Sequence, residues 1–84
     1  MDKLVSANNL RKLRFAENEM TQAQLAEIVG VTRQTIIALE AGRYTPTLEL
    51  ALKFSTVFSI SINKIFFWAD EKHAQHIYRI KNEK

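Results

Sequence analysis

Gln22-Ala-Gln-Leu-Ala-Glu-Ile-Val-Gly-Val-Thr-Arg-Gln-Thr-Ile-Ile-Ala-Leu-Glu-Ala41, closed by Gly42, is the stretch that decides how the chain folds. Leu25, Ala26 and Val29 recur at helical spacing, Gly30 interrupts them, and Ile36 and Leu39 resume the apolar stripe after Thr32, a residue suited to capping a new helix. The spacing predicts two short helices joined by a tight turn. Ala26 is small enough for the helices to cross closely, and Gly30 can supply the positive φ that a sharp inter-helix turn needs.

Outward from this unit, the helix signals continue on both sides. Thr21 is placed to cap the second helix, with Gln24 three residues on to complete a capping box. Before it, Asn8 or Asn9 can cap a first helix that sends Leu10, Leu13 and Phe15 toward the core and frays around Asn18. Gly42 is a candidate left-handed cap for the third helix, and Pro46 keeps residues 43–46 out of helical geometry.

Thr47 then opens a fourth helix. Its Leu48, Ala51, Leu52, Ser55 and Phe58 form one stripe, widened by Leu50, Phe54 and Val57. Ser61 can cap a fifth helix running from Ile62 to about Trp68, with Ile62, Ile65 and Phe66 inward. Residues 69–84 hold Ile77, Tyr78 and Ile80 among charges without a clean stripe, and read as a tail ordered by a partner.

Composition narrows the class. Eighty-four residues with 46% hydrophobic content suffice for one small domain with a modest core. The absence of cysteine excludes disulfides and thiolate metal sites. The opening Met-Asp-Lys-Leu-Val-Ser is not read as a signal peptide, and the apolar run from Phe54 to Trp68 is broken by Ser55, Thr56, Ser59, Ser61, Asn63 and Lys64. A soluble, cytoplasmic protein without membrane contact is therefore expected.

Enzymatic chemistry finds no foothold in the residues. His73 and His76 have a spacing that a helix can use for metal, but no further ligand stands in frame, so neither metal nor cofactor is expected. There is no glycine-rich phosphate loop and no serine, histidine and acid arrangement, and Glu17, Glu19, Glu27 and Glu49 read as solubilising. The expectation is a protein that is not an enzyme.

The third helix offers a different chemistry. At about 100° per residue, Ile36, Leu39 and Glu40 share one side, while Gln34, Ile37, Ala38 and Ala41 face the other and Arg33 reaches forward from the first turn. An ordinary solvated helix would carry Lys and Glu pairs there. Arginine bonds guanine O6 and N7, glutamine bonds adenine N6 and N7, and isoleucine packs on a thymine methyl. Gln22, Thr35, Arg43 and Tyr44 surround this face at places suited to phosphate contact. The net charge of +3 permits such a partner without requiring it.

The arrangement resembles the phage-repressor and Cro type of helix-turn-helix regulator, the xenobiotic-response-element family. The resemblance runs from about Asn8 to Trp68 and rests on Leu13-Arg14, Thr21-Gln22, Leu25-Ala26, Gly30-Val-Thr-Arg-Gln-Thr-Ile36, Leu39-Glu40, Gly42, Pro46-Thr47-Leu48 and Ile65-Phe66. It implies an all-α, five-helix, lambda-repressor-like fold whose third helix enters the major groove, with Arg33, Gln34, Ile37 and Ala38 at base-reading positions. It also implies an ion pair between Arg14 and Glu40. Three places depart from the family's pattern: Ser59 stands where glycine is common, so a strained or differently shaped turn is expected, Glu17-Asn-Glu-Met20 is a residue longer than in many members, and the tail after Trp68 has no counterpart in the shortest ones.

The resulting expectation is a DNA-binding unit over residues 6–68, with its helix-turn-helix at 22–41 and the recognition helix at 33–41. Residues 69–84 follow as a tail for a dimer or partner contact. Phe66, Phe67 and Trp68 cannot all face one small core and are candidates for a dimer surface. A homodimer on a palindromic operator in double-stranded DNA, acting as a repressor, completes the reading. Two alternatives stay open: an antitoxin whose tail binds a toxin while the domain represses its own operon, and a protein-interaction bundle that does not bind DNA.

Overall fold

The computed structural model describes residues 6–69 and 71–83, without the side chains of residues 71–74 and 76. The order is β1 (Ser6–Asn8), α1 (Leu10–Ala16), α2 (Gln22–Val29), α3 (Arg33–Glu40), α4 (Leu48–Phe58), α5 (Ile62–Ile65), β2 (Phe66–Trp68) and α6 (Glu71–Asn82). None of the described helices is long and apolar enough to cross a membrane. The core is one cluster in which Leu10, Leu25, Val29, Ile36, Leu39, Phe54 and Ile65 are fully buried, so every helix from α1 to α5 contributes.

Local chemistry explains where the central helices begin and end. The Thr21 hydroxyl accepts from the Gln24 amide while the Gln24 side chain accepts from the Thr21 amide, the reciprocal capping box expected there. Thr32 and Thr47 cap α3 and α4 in the same hydroxyl-to-amide manner. Gly30 closes α2 at φ 77°, and the amides of Gly30 and Val31 both return to the Ala26 carbonyl. Gly42 takes φ 74° one residue past the Ala41 cap of α3, which is itself right-handed.

The expected helical fold is present, and four of its details differ. The chain has, among its described residues, six helices and a two-stranded sheet rather than five helices alone. The fifth helix stops at Ile65, and Phe66–Trp68 is extended instead, pairing antiparallel with β1 in the register Ser6↔Trp68, Ala7↔Phe67 and Asn8↔Phe66. Three consecutive aromatics favour this extended state once a partner strand is available. The tail is also largely helical, over Glu71–Asn82. Its Glu, Lys, Gln and Arg content supplies helix propensity, helped by an Arg79–Glu83 pair at 3.9 Å.

The fourth correction concerns facing. Phe15, Leu48 and Leu52 are exposed, whereas Leu50, Ala51, Phe54 and Phe58 form the inward side of α4. Two adjoining stripes compete on that helix, and the core takes the one containing Phe54. Asn9 occupies the α1 cap position without capping through its side chain; the Asn8 Oδ1 instead accepts from the Leu10 amide at 3.1 Å. The His73 and His76 side chains lie outside the described residues.

Of the two alternatives for the turn after α4, the backbone is the strained one: Ser59 adopts φ 53°, and Asn18 and Glu19 adopt φ 55° and 56° in the connection after α1. A left-handed L-residue costs about 1–2 kcal/mol, and glycine returns about 0.5–1 kcal/mol of that as lost chain entropy. Ser59→Gly is therefore expected to raise stability by about 0.5–1 kcal/mol, measured as a higher denaturant midpoint with unchanged slope. Gly30→Ala should move the opposite way by about 0.5–1 kcal/mol through the same balance of strain and entropy, because nothing lies within 4 Å of the added Cβ.

Candidate nucleic-acid interface

The helix pair α2–α3 presents the face that the sequence singled out. Ile36 and Leu39 are buried beneath α3, which leaves Arg33 and Gln34 exposed and Ile37 and Ala38 half-buried on the outer side. Arg43 and Tyr44 are exposed just beyond the helix. The Thr35 hydroxyl lies 3.1 Å from that of Thr32, within the cap.

Glu40, the one acidic residue of α3, is held away from the outer face. The Arg14 guanidinium grips its carboxylate by two bonds, Nε to Oε2 at 2.6 Å and Nη2 to Oε1 at 2.9 Å. Arg14 Nη1 donates to the Met20 carbonyl at 2.7 Å, which pins the turn between α1 and α2 to the same group. Gln22, expected to face phosphate, donates its side-chain amide to Glu40 Oε1 at 3.2 Å. Gln22 thus sits at the edge of the face beside the ion pair, and its amide, which carries two N–H donors, keeps one beyond the bond to Glu40.

Between α1, the start of α2 and α3 runs an open groove of about 880 Å³. Its walls include Arg11, Phe15, Gln22, Arg33, Ile37 and Glu40. Arg11 and Phe15 are not among the residues the sequence assigns to this face, because an aromatic on a helical stripe is ordinarily core. The usable signal was their four-residue spacing, which puts both on one side of α1.

A helix-turn-helix family model matches residues 10–65, from the start of α1 to the end of α5. The chain belongs to this helix-turn-helix family of transcriptional regulators. An HTH-type transcriptional regulator of Methanocaldococcus jannaschii is 45% identical over 65 residues, covering 77% of this chain and 97% of the relative. The regulator YgzD of Bacillus subtilis is 44% identical, with 79% and 97% covered. The cryptic phage CTXphi transcriptional repressor RstR of Vibrio cholerae is 31% identical, with 73% and 55% covered. The crystal structure of a transcriptional regulator from Listeria innocua is similar in fold, with a TM-score of 0.63 at 24% identity, covering 87% of this chain and 72% of that one.

The ion pair sets a stability prediction for this helix-turn-helix protein. Both side chains are only 8% exposed, so Glu40→Ala leaves a buried guanidinium without its counter-charge. Losing one partner of such a pair should cost about 3–5 kcal/mol, and Arg14→Met combined with Glu40→Leu should cost far less than the two single losses added. Strict additivity in urea unfolding would show that the two groups are not coupled.

Proposed function

We propose that the protein is a sequence-specific DNA-binding transcriptional regulator, a repressor, that reads the major groove with α3 as a homodimer. The observation that carries this is the outer face of α3: exposed Arg33 and Gln34, flanked by Ile37 and Ala38, with Glu40 neutralised by Arg14. Arginine and glutamine match the acceptor and donor patterns of guanine and adenine, and Ile37 suits a thymine methyl. Ala38 keeps the helix slim enough to sit deep in the groove. Arg43, Tyr44, Thr35 and Gln22 contact backbone in this reading, Gln22 through the amide N–H that Glu40 does not take. Repression by occlusion follows from the likeness to the phage repressor RstR. The role is binding rather than catalysis.

Residues 6–68 form the DNA-binding unit in this proposal, and α6 is an addition to it. Phe67 and Trp68 are 41% and 42% exposed on β2, whereas Phe66 turns inward with its ring 5.9 Å from that of Phe54. Of the three dimer candidates, Phe67 therefore carries the surface, Trp68 adds exposed area at the end of β2, and Phe66 lies on the inner face. Exposed Ile77, Tyr78 and Ile80 on α6 extend this apolar region or receive another protein. A two-fold pairing would present two α3 helices about 34 Å apart to a palindromic site.

Selection of bound duplexes from a random pool should return a two-half-site sequence. On that sequence Arg33→Ala and Gln34→Ala should each cost about 1–3 kcal/mol and relax preference at particular base pairs, while Arg43→Ala weakens all duplexes alike. Equal losses on selected and random DNA would refute base reading by α3. Sedimentation should show a dimer that Phe67→Lys converts to monomer; a monomeric wild-type protein, free and on DNA, would remove the dimer.

A further inference from the structure

We propose that Arg11, oriented by the ring of Phe15, anchors a DNA backbone phosphate in the groove between α1, the start of α2 and α3. This rests on the reading that α3 enters the major groove. It adds a contact from outside the helix-turn-helix itself.

The charges lining the groove are Arg11, Arg14 and Arg33 against Glu19 and Glu40. Arg14 and Glu40 cancel in their buried pair, and the Nε, Nη1 and Nη2 atoms of Arg14 are all engaged. What remains is Arg11 and Arg33 facing Glu19, a net positive lining. Among the described residues, no carboxylate pairs with Arg11. An exposed guanidinium in a concave, positively charged groove is matched to a phosphate, whose oxygens accept from its planar set of N–H donors.

Phe15 explains how Arg11 is placed there. The ring is 53% exposed, a poor use of phenylalanine if it served only the core. Two guanidinium carbons flank it, Arg11 at 5.7 Å and Arg14 at 5.6 Å from its centroid. Arg14 is fixed by Glu40 and Met20, so the ring rests on an immobile neighbour, and Arg11 rests on the ring. A guanidinium held over a ring keeps its in-plane N–H donors for oxygen. The long side chain is then partly ordered before DNA arrives, which lowers the entropy lost on binding. Phe15 is a positioning residue here and Arg11 the contact.

The experiment is a salt titration of the full chain on the selected duplex and on a random duplex of equal length. Arg11→Ala should lower the slope of log affinity against log salt by about 0.9, the share of one phosphate, with base preference unchanged. Arg11→Lys should keep the slope. Phe15→Leu should weaken both duplexes in the wild-type background and have no effect in the Arg11→Ala background, a coupling that a merely structural phenylalanine would not produce. An unchanged slope in Arg11→Ala overturns the phosphate contact, and additive losses overturn the positioning by Phe15. If base preference and salt dependence are intact while Arg11→Ala changes neither, the anchor alone fails; if the wild-type protein binds no duplex, the reading beneath it fails and takes the anchor with it.

Discussion

A guanidinium and a carboxylate, each with 8% of its side chain exposed, meet at 2.6 Å between α1 and α3. Removing both charges from water is unfavourable, and the pair is tolerable only because its hydrogen-bonding capacity is filled: two bonds within the pair, one to the Met20 carbonyl and one from Gln22. No buried side-chain polar atom is left unpartnered among the described residues. Such a pair adds little net stability but strongly disfavours other arrangements. It joins α1, the turn at Met20, the first residue of α2 and the last of α3 at one point. The proposed reading face depends on it twice, for the orientation of α3 and for withdrawal of the only acid α3 carries.

Features written locally in the sequence were legible. The Thr21–Gln24 box, the Thr32 and Thr47 caps and the left-handed Gly30 each involve residues within a few positions of one another, so residue type and spacing suffice to find them. Features that pair distant segments were not. A three-residue strand has no period to detect, and Phe66–Trp68 becomes a strand only because Ser6–Asn8 lies beside it. The α6 helix escaped for a related reason: its Ile77, Tyr78 and Ile80 stand exposed among charges, so no core position marks it.

The site divides in the same way. Which chemistry α3 displays could be read from its face, since burial of Ile36 and Leu39 dictates what turns outward. How its neighbours are employed could not. The Arg14–Glu40 pair entered through family resemblance, because nothing in two residues 26 positions apart announces a contact. Gln22 stands by position at the phosphate edge, and its amide also bonds Glu40. Phe15 looked like core and lies exposed between two guanidinium groups. In each case the decisive partner is remote in sequence and adjacent in space.

The small sheet gives these separate parts a mechanical connection. Asn8 donates its side-chain amide to the Leu39 carbonyl on α3 at 2.7 Å, accepts from the Leu10 amide to start α1, and pairs through its backbone with Phe66. Strand alternation then sends Phe66 toward Phe54 and its neighbour Phe67 to the opposite face. One asparagine therefore stands between the end of the proposed reading helix and the strand proposed to carry the dimer contact. Because Asn8 is joined to α3 by a short hydrogen bond and to β2 by sheet pairing rather than by a flexible linker, a dimer built on Phe67 would hold its two α3 helices at a fixed separation. Operator spacing in that arrangement is a consequence of the β1–β2 register, and a shift of one residue in β2 would exchange the aromatics between core and surface.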